Sequence, residues 1–207
     1  NGTLLVLIWN DHSLHEPMYY FLSMLSFSDV AISMATLPTV LRTFCLNARN
    51  ITFDACLIQM FLIHFFSMME SGILLAMSFD RYVAICNPLL YYVIMSQRLC
   101  HVLVGIQYLY STFQALMFTI KIFTLTFCGS NVISHFYCDD VPLLPMLCSN
   151  AQEIELLSIL FSVFNLISSF LIVLVSYMLI LLAICQMHSA EGRKKAFSTC
   201  GSHLTVV

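Results

Sequence analysis

Asp80 and Arg81 stand side by side directly after an almost wholly apolar run from Leu57 to Phe79. An arginine at the end of such a run needs a partner in every state it visits, which suits it to act as a charge switch. The plainer alternative is a permanent surface ion pair, contributing about 0–1 kcal/mol. Two further carboxyls, Asp29 and Glu70, fall inside apolar runs, where ionisable groups are costly and mark functional sites. They are candidates for a shared buried ion site, or else for protonated or hydrogen-bonded carboxyls with a structural task. Cysteines form a third group. Cys128, Cys138 and Cys148 lie in the polar break from about Lys121 to Glu155, and Cys56 precedes the long apolar run. In an oxidising exterior these would pair, and four cysteines allow three pairings that spacing leaves open; Cys45 would be an unpaired fifth. Neither a nucleophile–base pair nor a phosphate-cradling glycine loop is visible in the sequence, so no catalytic residue is assigned and the chain does not read as an enzyme.

These groups must be positioned by membrane helices. The chain is 60% hydrophobic and 9% charged, with a mean hydropathy of +0.90, where soluble domains carry about 25% charged residues. Its formal net charge of -3 is spread out, with no basic block beyond Arg193, Lys194 and Lys195, so nucleic acid is not an expected partner and the lipid bilayer is. Apolar stretches run from Asn1 to Trp9, Met18 to Leu41, Leu57 to Phe79, Leu99 to Ile120, Leu156 to Ile184 and Ala196 to Val207. The third reaches roughly 34 Å as a helix, enough to cross a hydrocarbon core of about 30 Å. Backbone groups in lipid must be satisfied within the segment, so each stretch is expected to be helical. Pro17 can open the second span, and Pro38 predicts a kink inside it. The first and last stretches are cut by the chain ends, so a piece of a longer protein is expected. Placing Arg81, Arg98, Arg193, Lys194 and Lys195 inside the cell, with Arg42, Arg49 and Lys121 outside or at the outer edge, satisfies the positive-inside bias.

Polar residues recur at helical spacing within the spans. His64, Ser67, Glu70, Ser71, Ser78 and Arg81 occupy roughly one third of the circumference of the third span. Ser158, Ser162, Asn165, Ser169 and Ser176 fall within about 60° on the fifth, and Gln107, Ser111 and Gln114 share one face of the fourth. Such faces must look into a bundle. They serve either as interhelical glue, at about 0.6 kcal/mol per contact, or as the wall of a ligand cavity. The cavity reading centres on the outer third, where Met60, Ile63, His64, Ser67 and Met68 share a level. Channels and transporters also use polar stripes, but internal repeats and interrupted spans are not evident beyond Pro38.

The run MSFDRYVAIC from Met77, with PMYYFL at Pro17, LSFSD at Leu25, Ser176-Tyr177 and KAFSTCGSHL from Lys195, resembles the odorant receptors, which are rhodopsin-like G-protein-coupled receptors. The resemblance covers essentially all 207 residues. It implies an all-α, seven-transmembrane-helix bundle, with residues 1–207 forming a single, partial receptor domain from late helix one to early helix six. It also implies a multi-pass plasma-membrane protein, in olfactory cilia, that binds a small volatile odorant and activates a stimulatory heterotrimeric G protein without any cofactor. A receptor for an endogenous metabolite on another cell type, and a non-working gene product, are the alternatives. Leu14 to Tyr19 and Ala76 to Asp80 look like the class I branch; FCGSNVISHFYCDD and SAEGRKKAFSTCGSHL look like class II, with a join between about Asn87 and His101.

Residue by residue, the resemblance implies a Cys56–Cys138 bridge tying the third span to the outer loop, and a second bridge, Cys128–Cys148, within that loop. Asp29 matches the family's ion-site aspartate, with Glu70 as its neighbour. Asp80, Arg81 and Tyr82, with Tyr177 on the fifth span, match the G-protein coupling switch, Arg81 being paired with Asp80 at rest. His64 matches a position where several class I receptors place a ligand-contacting histidine, and would donate to an oxygen-bearing odorant or, alternatively, to a neighbouring helix; the ligand set expected is Met60, Ile63, His64, Ser67, Met68, Ser158, Phe161 and Asn165. His135, Cys138 and Asp139 suggest a metal site by spacing, but a bridged Cys138 has no thiolate to offer, so no metal is expected. Asn50-Ile51-Thr52 fits a glycosylation sequon on the outer side.

Overall fold

A computed structural model of the chain describes residues 1–11, 16–47, 50–128, 132–133, 135–143, 146–148 and 151–186, with 189, 191, 194 and 201. The expected sixth span, Ala196 to Val207, lies outside the described residues apart from 201. The elements are α1 (Gly2–Asn10), α2 (Pro17–Cys45), α3 (Phe53–Cys86), a 3-10 turn (Pro88–Leu90), α4 (Tyr91–Ile94), α5 (Gln97–Phe123), α6 (Asp140–Leu143) and α7 (Ala151–Gln186). Among the described residues, four helical segments are long and apolar enough to cross a membrane: Pro17–Cys45, Phe53–Cys86, Gln97–Phe123 and Leu156–Gln186. The fold among the described residues is all-α. An isolated antiparallel bridge between Phe127 and Leu147 sits in the outer loop.

Each long helix runs beyond the apolar stretch that announces it, and side-chain caps open two of them. Pro17 occupies the first turn of α2, where its missing N–H costs nothing. The Thr52 hydroxyl accepts from the Ala55 N–H to open α3, and the Ser96 hydroxyl accepts from the Leu99 N–H to open α5. Asn47, just past the end of α2, adopts a positive φ of 50°, a left-handed conformation that asparagine tolerates. The α3 helix passes through Asp80 and Arg81 and stops at Cys86, where Asn87-Pro88 cannot continue it. Within α2, the helix is maintained through Pro38.

At the centre lies α3, packed against α2, α5 and α7. Phe65, Met69, Ile73, Met77 and Val83 of α3 join Phe21 and Leu25 of α2 and Ala115 of α5 in one apolar core. The outward faces of α5 and α7 show Leu109, Phe113, Phe164, Leu166 and Phe170 exposed, as expected of helices turned to hydrocarbon. The polar stripe of α3 faces the bundle throughout, each of its residues being buried or half-buried. That of α7 divides: Ser158, Asn165, Ser169 and Ser176 are covered at least in part, whereas Ser162 is exposed.

Candidate functional site

The outer end of α3 is a knot of covalent and polar ties. Cys56 bridges Cys138, with Cα atoms 5.2 Å apart, and Cys128 bridges Cys148, 5.0 Å apart. The second bridge is flanked by backbone hydrogen bonds from Cys128 N to Met146 O and from Cys148 N to Thr126 O, which close the loop as a small ladder. Gln59, 5% exposed, completes the knot. Its Oε1 accepts from the Cys138 N–H at 2.9 Å, while its Nε2 donates to the Ala35 carbonyl at 2.6 Å and the Thr39 hydroxyl at 3.0 Å. One side chain thus pins the loop to α3 and α3 to α2. Sequence reasoning passed over Gln59; a lone amide one turn after Cys56 in an otherwise apolar run was the available signal.

Immediately below the knot, His64 and the loop meet. His64 Nε2 lies 3.5 Å from Asp139 Oδ1, the residue after the bridged Cys138. The His64 ring stacks on Phe118 of α5 at 5.3 Å, and Phe118 meets Phe161 of α7 edge-on at 5.7 Å. Three helices and the loop therefore converge on one aromatic cluster. Ser67 and Ile63 are half-buried beside it. Met60 is wholly buried among Cys56, Leu57, Ile122, Cys138 and Leu143, part of the packing under the loop. The Met68 carbonyl accepts from Gln107 Nε2 at 2.6 Å. Asn165 accepts from the Tyr110 hydroxyl at 2.9 Å and donates to the Phe161 carbonyl, so it ties α7 to α5. Ser158 is buried.

Two clefts stand out among the described residues, and the candidate ligand residues line neither. One of about 870 Å³ runs between α1, α2 and the start of α5, past Trp9, Tyr20, Phe27 and His101. The other, about 830 Å³, opens beside the outer loop between Arg42, Phe53, His135 and Tyr137. Lower down, Gln107 also donates to Ser111 Oγ and lies directly over Gly72, where any Cβ would strike it. This glycine allows α5 to approach α3. The polar face of α5, with Ser111 and Gln114 buried, is thereby interhelical glue.

At mid-membrane the Asn1 Nδ2 donates to Asp29 Oδ2 at 2.9 Å. The Glu70 carboxyl of α3 lies beside Asp29, so α1, α2 and α3 meet at a carboxyl pair, and Glu70 Oε1 is buried without a hydrogen-bond partner among the described residues. Two adjacent carboxylates repel, so a shared proton or a cation between them would be favourable.

At the inner end, Asp80 has no exposed surface and Arg81 is 8% exposed. Arg81 Nε lies 3.9 Å from Asp80 Oδ2, and neither atom has a hydrogen-bond partner among the described residues. The resting pair implied by the resemblance is therefore a loose one. Asp80 Oδ1 instead accepts from the Tyr91 hydroxyl of α4 at 2.8 Å. Burial, with the neighbouring Asp80 carboxylate, pushes the Tyr91 phenol well above its ordinary range, which keeps it a donor. Tyr177 is buried on α7 with Ile180 and Ile184, and Tyr82 and Ile85 of α3 pack against that group. Tyr91 was not singled out by the sequence, since its partner lies across a turn.

A model of the olfactory receptor family matches residues 1–207. The chain belongs to the olfactory receptor family. It is 75% identical over 207 residues to human Olfactory receptor 8K5, covering all of this chain and 67% of that protein. Human Olfactory receptor 8K3 is 57% identical over the same length, with 66% of that protein covered. Human Olfactory receptor 51I2 is 54% identical over 213 aligned positions, again with 66% covered. The chain thus spans about two thirds of the length of these relatives. As an olfactory receptor chain it is not an enzyme, and its four apolar helices belong to a multi-pass membrane protein.

Proposed function

We propose that this chain is the larger part of one seven-helix receptor domain, from helix one to helix six, which binds a small volatile odorant at the outer end of α3 and activates a stimulatory heterotrimeric G protein at its inner end. The observation that carries the reading is that one continuous helix, α3, holds the His64 cluster under a disulfide-anchored loop at one end and the Asp80–Arg81 pair at the other. His64, Ser67, Ile63, Phe161 and Asn165 form the ligand wall, with Met60, Met68 and Ser158 as its packing. The His64–Phe118–Phe161 chain supports this assignment, because it ties α3, α5 and α7 together at a level where a guest would part the rings. The Asp29–Glu70 pair is proposed to hold a cation, in keeping with the contact of two carboxyls. Arg81 is the group handed to the G protein, with Tyr82 and Tyr177 joining α3 to α7 beside it. Olfactory cilia are the proposed location.

The test is cyclic AMP in cells expressing the reading frame that carries these residues. Arg81→Ala is expected to abolish the odorant-evoked rise while surface labelling stays intact. Intact signalling by this variant would end the proposal.

A further inference from the structure

The outer cluster sets a histidine of α3 against an acid of the loop. The His64 ring stacks on Phe118 of α5 at 5.3 Å, the planes 19° apart, and its Nε2 lies 3.5 Å from Asp139 Oδ1. Asp139 follows the most firmly held residue of the loop: Cys138 is bridged to Cys56, and its N–H donates to Gln59 Oε1 at 2.9 Å. The two side chains are 20% and 27% exposed, so each keeps an accessible edge at the mouth of the bundle. A carboxylate only accepts hydrogen bonds, so the ring presents its Nε2–H toward Asp139. Their separation exceeds the roughly 2.9 Å of a direct N–H···O bond. A hydroxyl group placed about 2.8 Å from each atom accepts from His64 and donates to Asp139 once the two part by about 1 Å. Only a group that is donor and acceptor together meets both partners. An aldehyde or ether oxygen answers His64 alone, an ammonium answers Asp139 alone, and a carboxylate sets a second negative charge against Asp139. The carbon skeleton of a guest would lie along Phe118 and Phe161, whose rings meet edge-on at 5.7 Å.

We propose that His64 and Asp139 together recognise a hydroxyl group, with Asp139 as the specificity-determining residue: the odorant class this receptor takes is alcohols, and carboxylic acids are turned away. The inference rests on the reading of the outer end of α3 as the ligand wall, and adds to it a loop residue and a ligand class. A tie that merely held the loop to the helix would affect every odorant alike.

The experiment reads surface labelling and cyclic AMP in cells expressing the receptor reading frame that carries these residues, as wild type, Asp139→Asn and His64→Ala. The probes are hexanol, octanol, geraniol and benzyl alcohol, each beside the aldehyde and the carboxylic acid of the same skeleton, near neutral pH where the acids are ionised. In wild type the best alcohol is expected to act at a half-effective concentration about tenfold below that of its aldehyde, the equivalent of one hydrogen bond to a charged group, with its acid weakest. Asp139→Asn removes the charge and keeps the shape; it is expected to strengthen the acid on the order of tenfold and to narrow the gap between alcohol and aldehyde. Acids that match or exceed the alcohols in wild type, silence toward every alcohol, or an Asp139→Asn variant that shifts all three classes alike overturns the proposal. If Asp139→Asn does not reach the surface, the wild-type order decides. A profile left unchanged by His64→Ala refutes the wider placing of the ligand wall; responses weakened in His64→Ala but indifferent to Asp139 refute this inference alone.

Discussion

Gln59→Leu tests whether the outer knot is what holds the loop over α3. The substitution keeps the volume and removes three hydrogen bonds: those to the Ala35 carbonyl, the Thr39 hydroxyl and the Cys138 N–H. Each neutral hydrogen bond contributes about 1 kcal/mol net, and a buried donor left unmet costs about 1–3 kcal/mol. The Cys138 N–H is such a donor, since Cys138 is 1% exposed. The leucine returns part of this by burying apolar surface, so the net loss is about 2–4 kcal/mol. For a chain of this size each kcal/mol lowers the melting temperature by about 2–4 °C, which predicts a fall of roughly 10 °C. The assay is thermal unfolding of the detergent-solubilised receptor, read with a fluorogenic thiol dye that reports exposure of Cys100, 3% exposed in the fold. Thr39→Val removes a single bond and is expected to cost about 1 kcal/mol. Added to Gln59→Leu it should cost almost nothing more, because its partner is already gone. A melting temperature for Gln59→Leu within about 2 °C of wild type, or additive losses in the pair, would refute the reasoning.

Gly72→Val is expected to displace the Gln107 side chain from its bonds to the Met68 carbonyl and Ser111, costing about 1–3 kcal/mol; Gln107→Ala in the same chain should restore part of the lost thermal stability. Cys138→Ser should lower stability by about 2–5 kcal/mol and reduce surface expression, measured by flow cytometry of an extracellular tag. His64→Ala is expected to weaken responses to oxygen-bearing odorants more than to hydrocarbons; an unchanged profile across acids, alcohols and aldehydes would remove His64 from the ligand wall. Asp29→Asn is expected to abolish any sodium dependence of odorant potency, read by replacing sodium with choline in the assay medium.

The spans were legible because lipid leaves the backbone one economical choice: an apolar run of sufficient length closes its own hydrogen bonds as a helix. Thus Leu57 to Phe79 predicted α3, and the His64, Ser67, Glu70 face predicted which side looks inward. The resemblance implied the Cys56–Cys138 and Cys128–Cys148 pairings that spacing left open, and the structure has both. Helical periodicity fixes an angle on one helix but not what stands opposite. It could not say that Met60 is packed under the loop or that Asn165 is engaged by Tyr110, nor that Ser162 turns outward.

The sequence by itself determined that this is a membrane chain, where its helices run, and that an acid and an arginine stand at the inner end of the third span. Only the tertiary structure decided which groups those residues meet. Gln59 reaches the N–H of Cys138, His64 reaches Asp139, and Asp80 takes its hydrogen bond from Tyr91 in preference to Arg81. The reason is physical: burial in an apolar medium makes every polar group seek a partner, while the partner available is set by how helices far apart in the chain are brought side by side.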